Sequence, residues 1–230
     1  QIFGFSDHTP WKYRTSYVAD MRMLPEELSE YIESLQYLRE KYRDQIDIKI
    51  GLECEYFPEY IPWLKEQIKK YQLNYILFGN HHFHTDEKFP YFGHHTNNRD
   101  MLGLYEESAI EGMESGLYNC LAHPDLFMRS YPKFDHHCAT ISRHICRTAA
   151  RLNIPLEYNI GYVAYNEEHG LNTYPCPNFW HIAANEGCTA IIGMDAHNNN
   201  DLEVPVYYER ALQELKELKI KTTDTLKMMH

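Results

Sequence analysis

The chain has 230 residues, 43% of them hydrophobic, which is enough to bury a full core in one α/β domain. Its net charge of -11, from 33 acids against 22 bases, excludes the clustered Lys and Arg on which phosphate-backbone binding depends, so no nucleic-acid partner is expected. The apolar runs are strand-sized, far short of the ~20 residues of a membrane span, and the first residues do not resemble a signal peptide; a soluble protein is expected.

Strand-like and helical patterns alternate along the chain. Ile2 to Phe5 predicts a short strand running into Ser6-Asp7-His8. Pro25 to Tyr42 predicts a helix, with Leu28, Tyr31, Ile32, Leu35 and Leu38 on one face. Ile46 to Leu52 predicts a strand ending on Glu53, and Pro58 to Tyr71 a helix. The next strand, Tyr75 to Phe78, runs into Gly79-Asn80-His81-His82. The stretch from His81 to Asn98 is too long for a mere connector and is expected to cover a site. A helix over Met101 to Ser115 is followed by the strand Asn119 to Ala122, which stops at His123-Pro124-Asp125. Cys138 to Leu152 predicts a helix, and Pro155 to Asn159 a strand that ends on an amide. A helix over Pro177 to Glu186, the strand Thr189 to Ile192 and a helix over Val204 to Leu218 close the series. Between the last two lies Gly193-Met194-Asp195-Ala196-His197. Six strand-then-helix units predict a parallel sheet covered by helices, open or closed into a barrel.

In parallel α/β folds the carboxyl ends of the strands share one face, so these acids and histidines converge there. A ring of His and carboxylate without a C-x-x-C pair points to a divalent-metal site, with Glu53 suited to bridging two ions. Six scattered cysteines read as reduced thiols, which points to the cytoplasm. Fourteen histidines are more than the site needs. His136, His137, His144, His169, His181 and His230 follow no strand and read as structural or solvated; His94 and His95 read as loop residues. Glu55, on the same side of an extended chain as Glu53, reads as an outer partner or a salt bridge.

Ser6-Asp7-His8, Gly51-Leu52-Glu53, Asn80-His81-His82-Phe83, Ala122-His123-Pro124-Asp125 and Gly193-Met194-Asp195-Ala196-His197, in this order, resemble the polymerase and histidinol phosphatase (PHP) superfamily, and within it the histidinol-phosphate phosphatases. The resemblance covers residues 1 to about 200. It implies a distorted (β/α)7 barrel holding two or three divalent ions (Zn, Fe or Mn). Residue by residue, it implies Glu53 as the bridging carboxylate, His82 and His123 on the second ion, Asp195 on the first, and His8 with His197 on the third; His81 matches a position that is usually not a ligand. The family's opening H-x-H motif would precede Gln1, so residues 1–230 are read as a single PHP-like metal-dependent phosphoesterase domain, N-terminally incomplete, with its first strand absent. Relatives often carry a phosphate-holding Arg shortly after the equivalent of Asn159-Ile160-Gly161, where Val163 and Ala164 stand here. Arg129, Arg143 and Arg99 are the candidates to replace it.

The expected activity is metal-dependent hydrolysis of a small phosphate monoester, histidinol phosphate, in histidine biosynthesis. Divalent ions would supply the positive field that an acidic chain lacks, and would activate water. His8, His197 or Asp7 could protonate the leaving alkoxide, and Asp125 or Glu55 could face the substrate's cationic end. A PHP-type nuclease and a catalytically dead metal-binding module are the alternatives.

Overall fold

The structure, a computed structural model, describes residues 2–202 and 205–229; Val204 and His230 lie outside them. Seven strands form one parallel sheet in chain order: β1 (Ile2–His8), β2 (Asp47–Cys54), β3 (Tyr75–Gly79), β4 (Cys120–Ala122), β5 (Leu156–Asn159), β6 (Thr189–Gly193) and β7 (Lys221–Thr222). The first six are the predicted strands. The seventh is only two residues long, Lys221 and Thr222, so it carries no periodicity to read.

Helices join successive strands: α1 (Leu28–Lys41) after a 3-10 turn at Pro25–Glu27, α2 (Ile61–Tyr71), α3 (Phe92–His95), α4 (Arg99–Glu114), α5 (His136–Leu152), α6 (Ile160–His169), α7 (Pro177–Asn185) and α8 (Pro205–Glu217). The four-residue α3 falls inside the long loop, and α6 was not predicted. Capping sets several boundaries. Asn98 accepts the Met101 amide to start α4, Asp135 accepts those of His137 and Cys138 to start α5, and Gly170, left-handed at φ 63°, ends α6. Among the described residues no helix is long and apolar enough to cross a membrane.

Alternate residues of each strand face opposite ways. Ile48, Ile50, Leu52 and Cys54 of β2, Ile76 and Phe78 of β3, Leu121 of β4 and Leu156 of β5 are buried in the core cluster with the helices. The other residues, including Lys49, Glu53, Tyr75, Leu77, Cys120, Ala122 and Glu157, line a cavity of about 710 Å³ inside the curved sheet. Asp224, Thr225, Leu226 and Met228 of the C-terminal tail also line it. Hydrogen bonds hold the tail, from the Thr223 amide to the Ala190 carbonyl (2.9 Å), from the Met229 amide to the Asn74 carbonyl (2.8 Å) and from Asn119 Nδ2 to the Lys227 carbonyl (2.7 Å).

Candidate metal centre

At the carboxyl end of the sheet the inward side chains are no longer apolar. Glu53, the seventh residue of β2, projects beside β3, where Gly79 leaves room for it: a Cβ there would overlap both the Glu53 carboxylate and the His81 ring. Gly193 does the same on β6, where a Cβ would overlap the Glu157 carboxylate. Two residues just past strand ends have left-handed backbone, His123 at φ 27° and Asp195 at φ 47°. Such conformations cost about 1–3 kcal/mol each in non-glycine residues and concentrate at functional sites.

One oxygen of Glu53 takes both ring nitrogens that face it: His123 Nε2 is 3.0 Å and His81 Nε2 3.4 Å from Oε1, and the two nitrogens are 3.2 Å apart. The other oxygen, Oε2, stands 3.5 Å from His8 Nδ1, a buried nitrogen that makes no hydrogen bond. His8, Glu53 and His81 each offer a ligand atom within 4.8 Å of the others. Four ligands around a tetrahedral ion at zinc-like bond lengths lie about 3.3 Å from one another, which these separations match. On the far side Asn159 Nδ2 donates to Asp195 Oδ2 (2.9 Å), while Asn159 Oδ1 caps α6 through the Tyr162 amide. Glu157 accepts the His123 amide (2.9 Å) and so supports the strained turn.

The electrostatics agree. Burial alone would push the Glu53 carboxyl up, but His81, His123 and His8 around it hold it below the usual carboxylate range. Burial works against a charged His123, yet the Glu53 carboxylate raises it to about 9. Burial holds His81 below its ordinary value despite Glu53. The Nε2 atoms of His81 and His123 thus turn on one carboxylate oxygen, an arrangement of donor atoms that a divalent cation would fit. The donor set, imidazoles with carboxylates, suits zinc, iron or manganese.

Several expected site residues stand elsewhere. His82 Nδ1 is hydrogen-bonded to the Phe89 carbonyl (2.9 Å), and its Nε2 has no partner; His81 takes the place at Glu53 that was expected of His82. The reason is local. The chain turns after β3, with the His81 amide on the Gly79 carbonyl (2.9 Å), and Glu55 grips His81 Nδ1 (3.0 Å). His197 is not brought up to His8: its side chain is 71% exposed at the cavity mouth, with Nδ1 on the Asp195 carbonyl (2.8 Å). Asp7 also lines the mouth, and its Oδ1 accepts the His8 amide (2.7 Å).

Asp125 does not line the cavity. It is buried, and its Oδ2 accepts the Cys176 amide (2.5 Å), tying the β4 turn to the segment before α7; burial raises its carboxyl to about 7. Arg143 lies on α5 paired with Glu186 (3.5 Å), and Arg99 heads α4, exposed. Arg129 alone of the three lies near the cluster. Its guanidinium sits 5.9 Å from the Tyr91 ring centre and 5.2 Å from that of Tyr162. Tyr91 lies 5.8 Å from the His81 ring; Tyr162 stacks on Tyr174 at 3.9 Å, and Tyr174 meets His123 at 6.3 Å. Arg129 forms no ion pair among the described residues. Glu157 and the tyrosine collar were missed from sequence, although a carboxylate inside the buried strand Leu156–Asn159 is itself a signal.

No protein-family model matches the chain. A protein of Deinococcus radiodurans named "Probable histidinol-phosphatase" is 27% identical over 225 residues, covering 93% of this chain and 80% of that protein. A Schizosaccharomyces pombe protein of the same name is 36% identical over 91 residues, 37% of this chain and 30% of its own length. Among solved structures, the histidinol phosphate phosphatase of Lactococcus lactis, complexed with Zn, L-histidinol and phosphate, superposes with a TM-score of 0.69 at 17% identity, covering all of this chain and 88% of that one. A Listeria monocytogenes structure gives a TM-score of 0.66 at 15% identity over 90% of this chain and 88% of its own. Over nearly its whole length the chain is thus similar to a protein named as a probable histidinol-phosphatase, and its fold is that of the solved histidinol phosphate phosphatase structures.

Proposed function

We propose that the chain hydrolyses a small phosphate monoester, histidinol phosphate foremost, to the free alcohol and inorganic phosphate, with two or three divalent ions bound at the carboxyl end of the sheet. The observation that carries this reading is the convergence of His81 and His123 Nε2 on one Glu53 oxygen while His8 faces the other. The sequence relatives, both named histidinol-phosphatases, supply the substrate. When bound, the ions would neutralise the phosphate dianion and lower the pKa of a bound water to about 7.

The chain's own residues divide the remaining work. Glu53 offers its two oxygens to opposite sides, as a carboxylate shared by two ions requires. His8, His81, His123 and Asp195 complete the set, and Asn159 keeps Asp195 from turning away. His197, exposed beside Asp195 and raised above its ordinary value because the Asp195 carboxylate outweighs burial, is placed to hand a proton to the departing alcohol at the mouth. Asp7 and His8 are the other candidates. Arg129, held between two tyrosine rings, supplies a positive charge for a phosphate oxygen. Residues 1–230 act as a single domain, and six buried, unpaired cysteines suit the reducing cytoplasm.

Phosphate release from histidinol phosphate, measured after loading with Zn, Mn or Fe and again after chelation, tests the reading. Metal-dependent release is expected. No release with any of the three ions overturns it, and turnover confined to single-stranded DNA would replace it with the nuclease.

A further inference from the structure

Below the cluster lies a second, fully buried group of charges that touches it at one point. Glu55 follows β2 and is completely enclosed. Four donors reach its carboxylate. Trp11 Nε1 (2.8 Å) and Arg22 Nη1 (3.0 Å) meet Oε2; Arg22 Nη2 (3.1 Å) and His81 Nδ1 (3.0 Å) meet Oε1. Arg22, its side chain 2% exposed, also holds Asp86 (2.8 Å) and the Thr9 carbonyl (3.1 Å), and Tyr13 donates to Asp86 (2.6 Å). A buried ion pair that served packing alone would need only Arg22 and Glu55, and such pairs gain little stability over apolar replacements. Here the carboxylate has two more partners, Trp11 and His81, and the opposite nitrogen of His81 faces Glu53 and His123.

We propose that Glu55 is the positioning residue of the metal centre: it fixes His81 as the Nδ1–H tautomer, leaving Nε2 unprotonated and aimed at the cluster. This rests on the reading of that cluster as a metal site. A neutral imidazole binds a metal through one nitrogen while the other donates a hydrogen bond that sets its tautomer and its orientation. His82, next along the chain, has no carboxylate at its Nδ1 and uses that atom on a backbone carbonyl, so Glu55 distinguishes the two histidines of the pair. Arg22 and Trp11 keep Glu55 charged and immobile. Through Asp86 the same arginine ties residues 9–24 to the loop that begins at His81, so both segments meet at the residue that orients the ligand.

Two measurements test this on the full chain. Zinc affinity, read by competition with a fluorescent chelator, is expected to fall on the order of 10–100-fold in Glu55→Gln, as outer partners of metal ligands typically show. It should fall no further when Glu55→Gln is added to His81→Ala, because the effect passes through His81. Nitrogen-15 NMR of the metal-free wild-type chain needs no variant, and it is expected to show His81 protonated on Nδ1. Wild-type zinc affinity in Glu55→Gln, an added loss in the double variant, or a His81 proton on Nε2 would each overturn the assignment. A wild-type chain that binds no zinc would instead sink the phosphatase reading, and the tautomer would still decide the role of Glu55.

Discussion

Strand β2 presents two faces built by opposite rules. Outward, Ile48, Ile50, Leu52 and Cys54 are apolar and buried against helices; inward, Lys49, Gly51 and Glu53 are charged or small. The outer face holds the molecule together by burying apolar surface, at roughly 25 cal/mol per Å². The inner face, at its carboxyl end, gathers a buried carboxylate, imidazoles and two left-handed residues, each of which costs free energy in isolation. The candidate site and the core are thus separated by one residue along the same strand, and the two faces are expected to respond separately to substitution.

Glu53→Gln is the severest break of the inner face. Metal-dependent phosphate release should fall at least about 10³-fold, since several kcal/mol of electrostatic stabilisation are lost. The metal-free circular dichroism spectrum should stay as in the wild type, and a lost fold would show that the faces are not separable. Leu52→Ala is its counterpart on the outer face. Urea unfolding should report a loss of about 2–5 kcal/mol, with metal stoichiometry by mass spectrometry unchanged. Gly193→Ala tests the boundary, because its Cβ would enter the Glu157 carboxylate that supports the His123 turn; a destabilisation of about 1–3 kcal/mol is expected, together with weaker metal binding. Arg129→Met should raise KM about 10–100-fold with a smaller change in kcat, the worth of one charge-assisted contact to phosphate. Arg143→Ala, which removes only a surface ion pair, should leave both constants within about twofold.

The two faces were not equally legible. The outer face follows from the apolar alternation that predicts the first six strands, and β7 escaped because two residues carry no period. The inner face was legible only where a strand ends on a residue type rare in cores: Glu53, His123 and Asp195 are such residues. Glu157 escaped attention although it occupies an inward position on β5, and Asn159 was read only as the amide on which that strand ends. Asp125 looked equally promising beside His123, but it points to Cys176, a residue 51 positions away.

The sequence by itself determined the order of the first six strands, the face on which these acids and histidines gather and the residue types of a candidate divalent-metal site, because periodicity and strand-end position are local properties. The tertiary structure alone decided that His81 rather than His82 meets Glu53, that Arg129 rather than Arg143 or Arg99 stands near the cluster, and that His197 stays at the mouth. Each of these depends on contacts between segments far apart in the chain. Glu55 reaches His81 across 26 residues and Arg22 reaches Glu55 across 33, and a hydrogen bond of that range leaves no pattern in the neighbouring sequence.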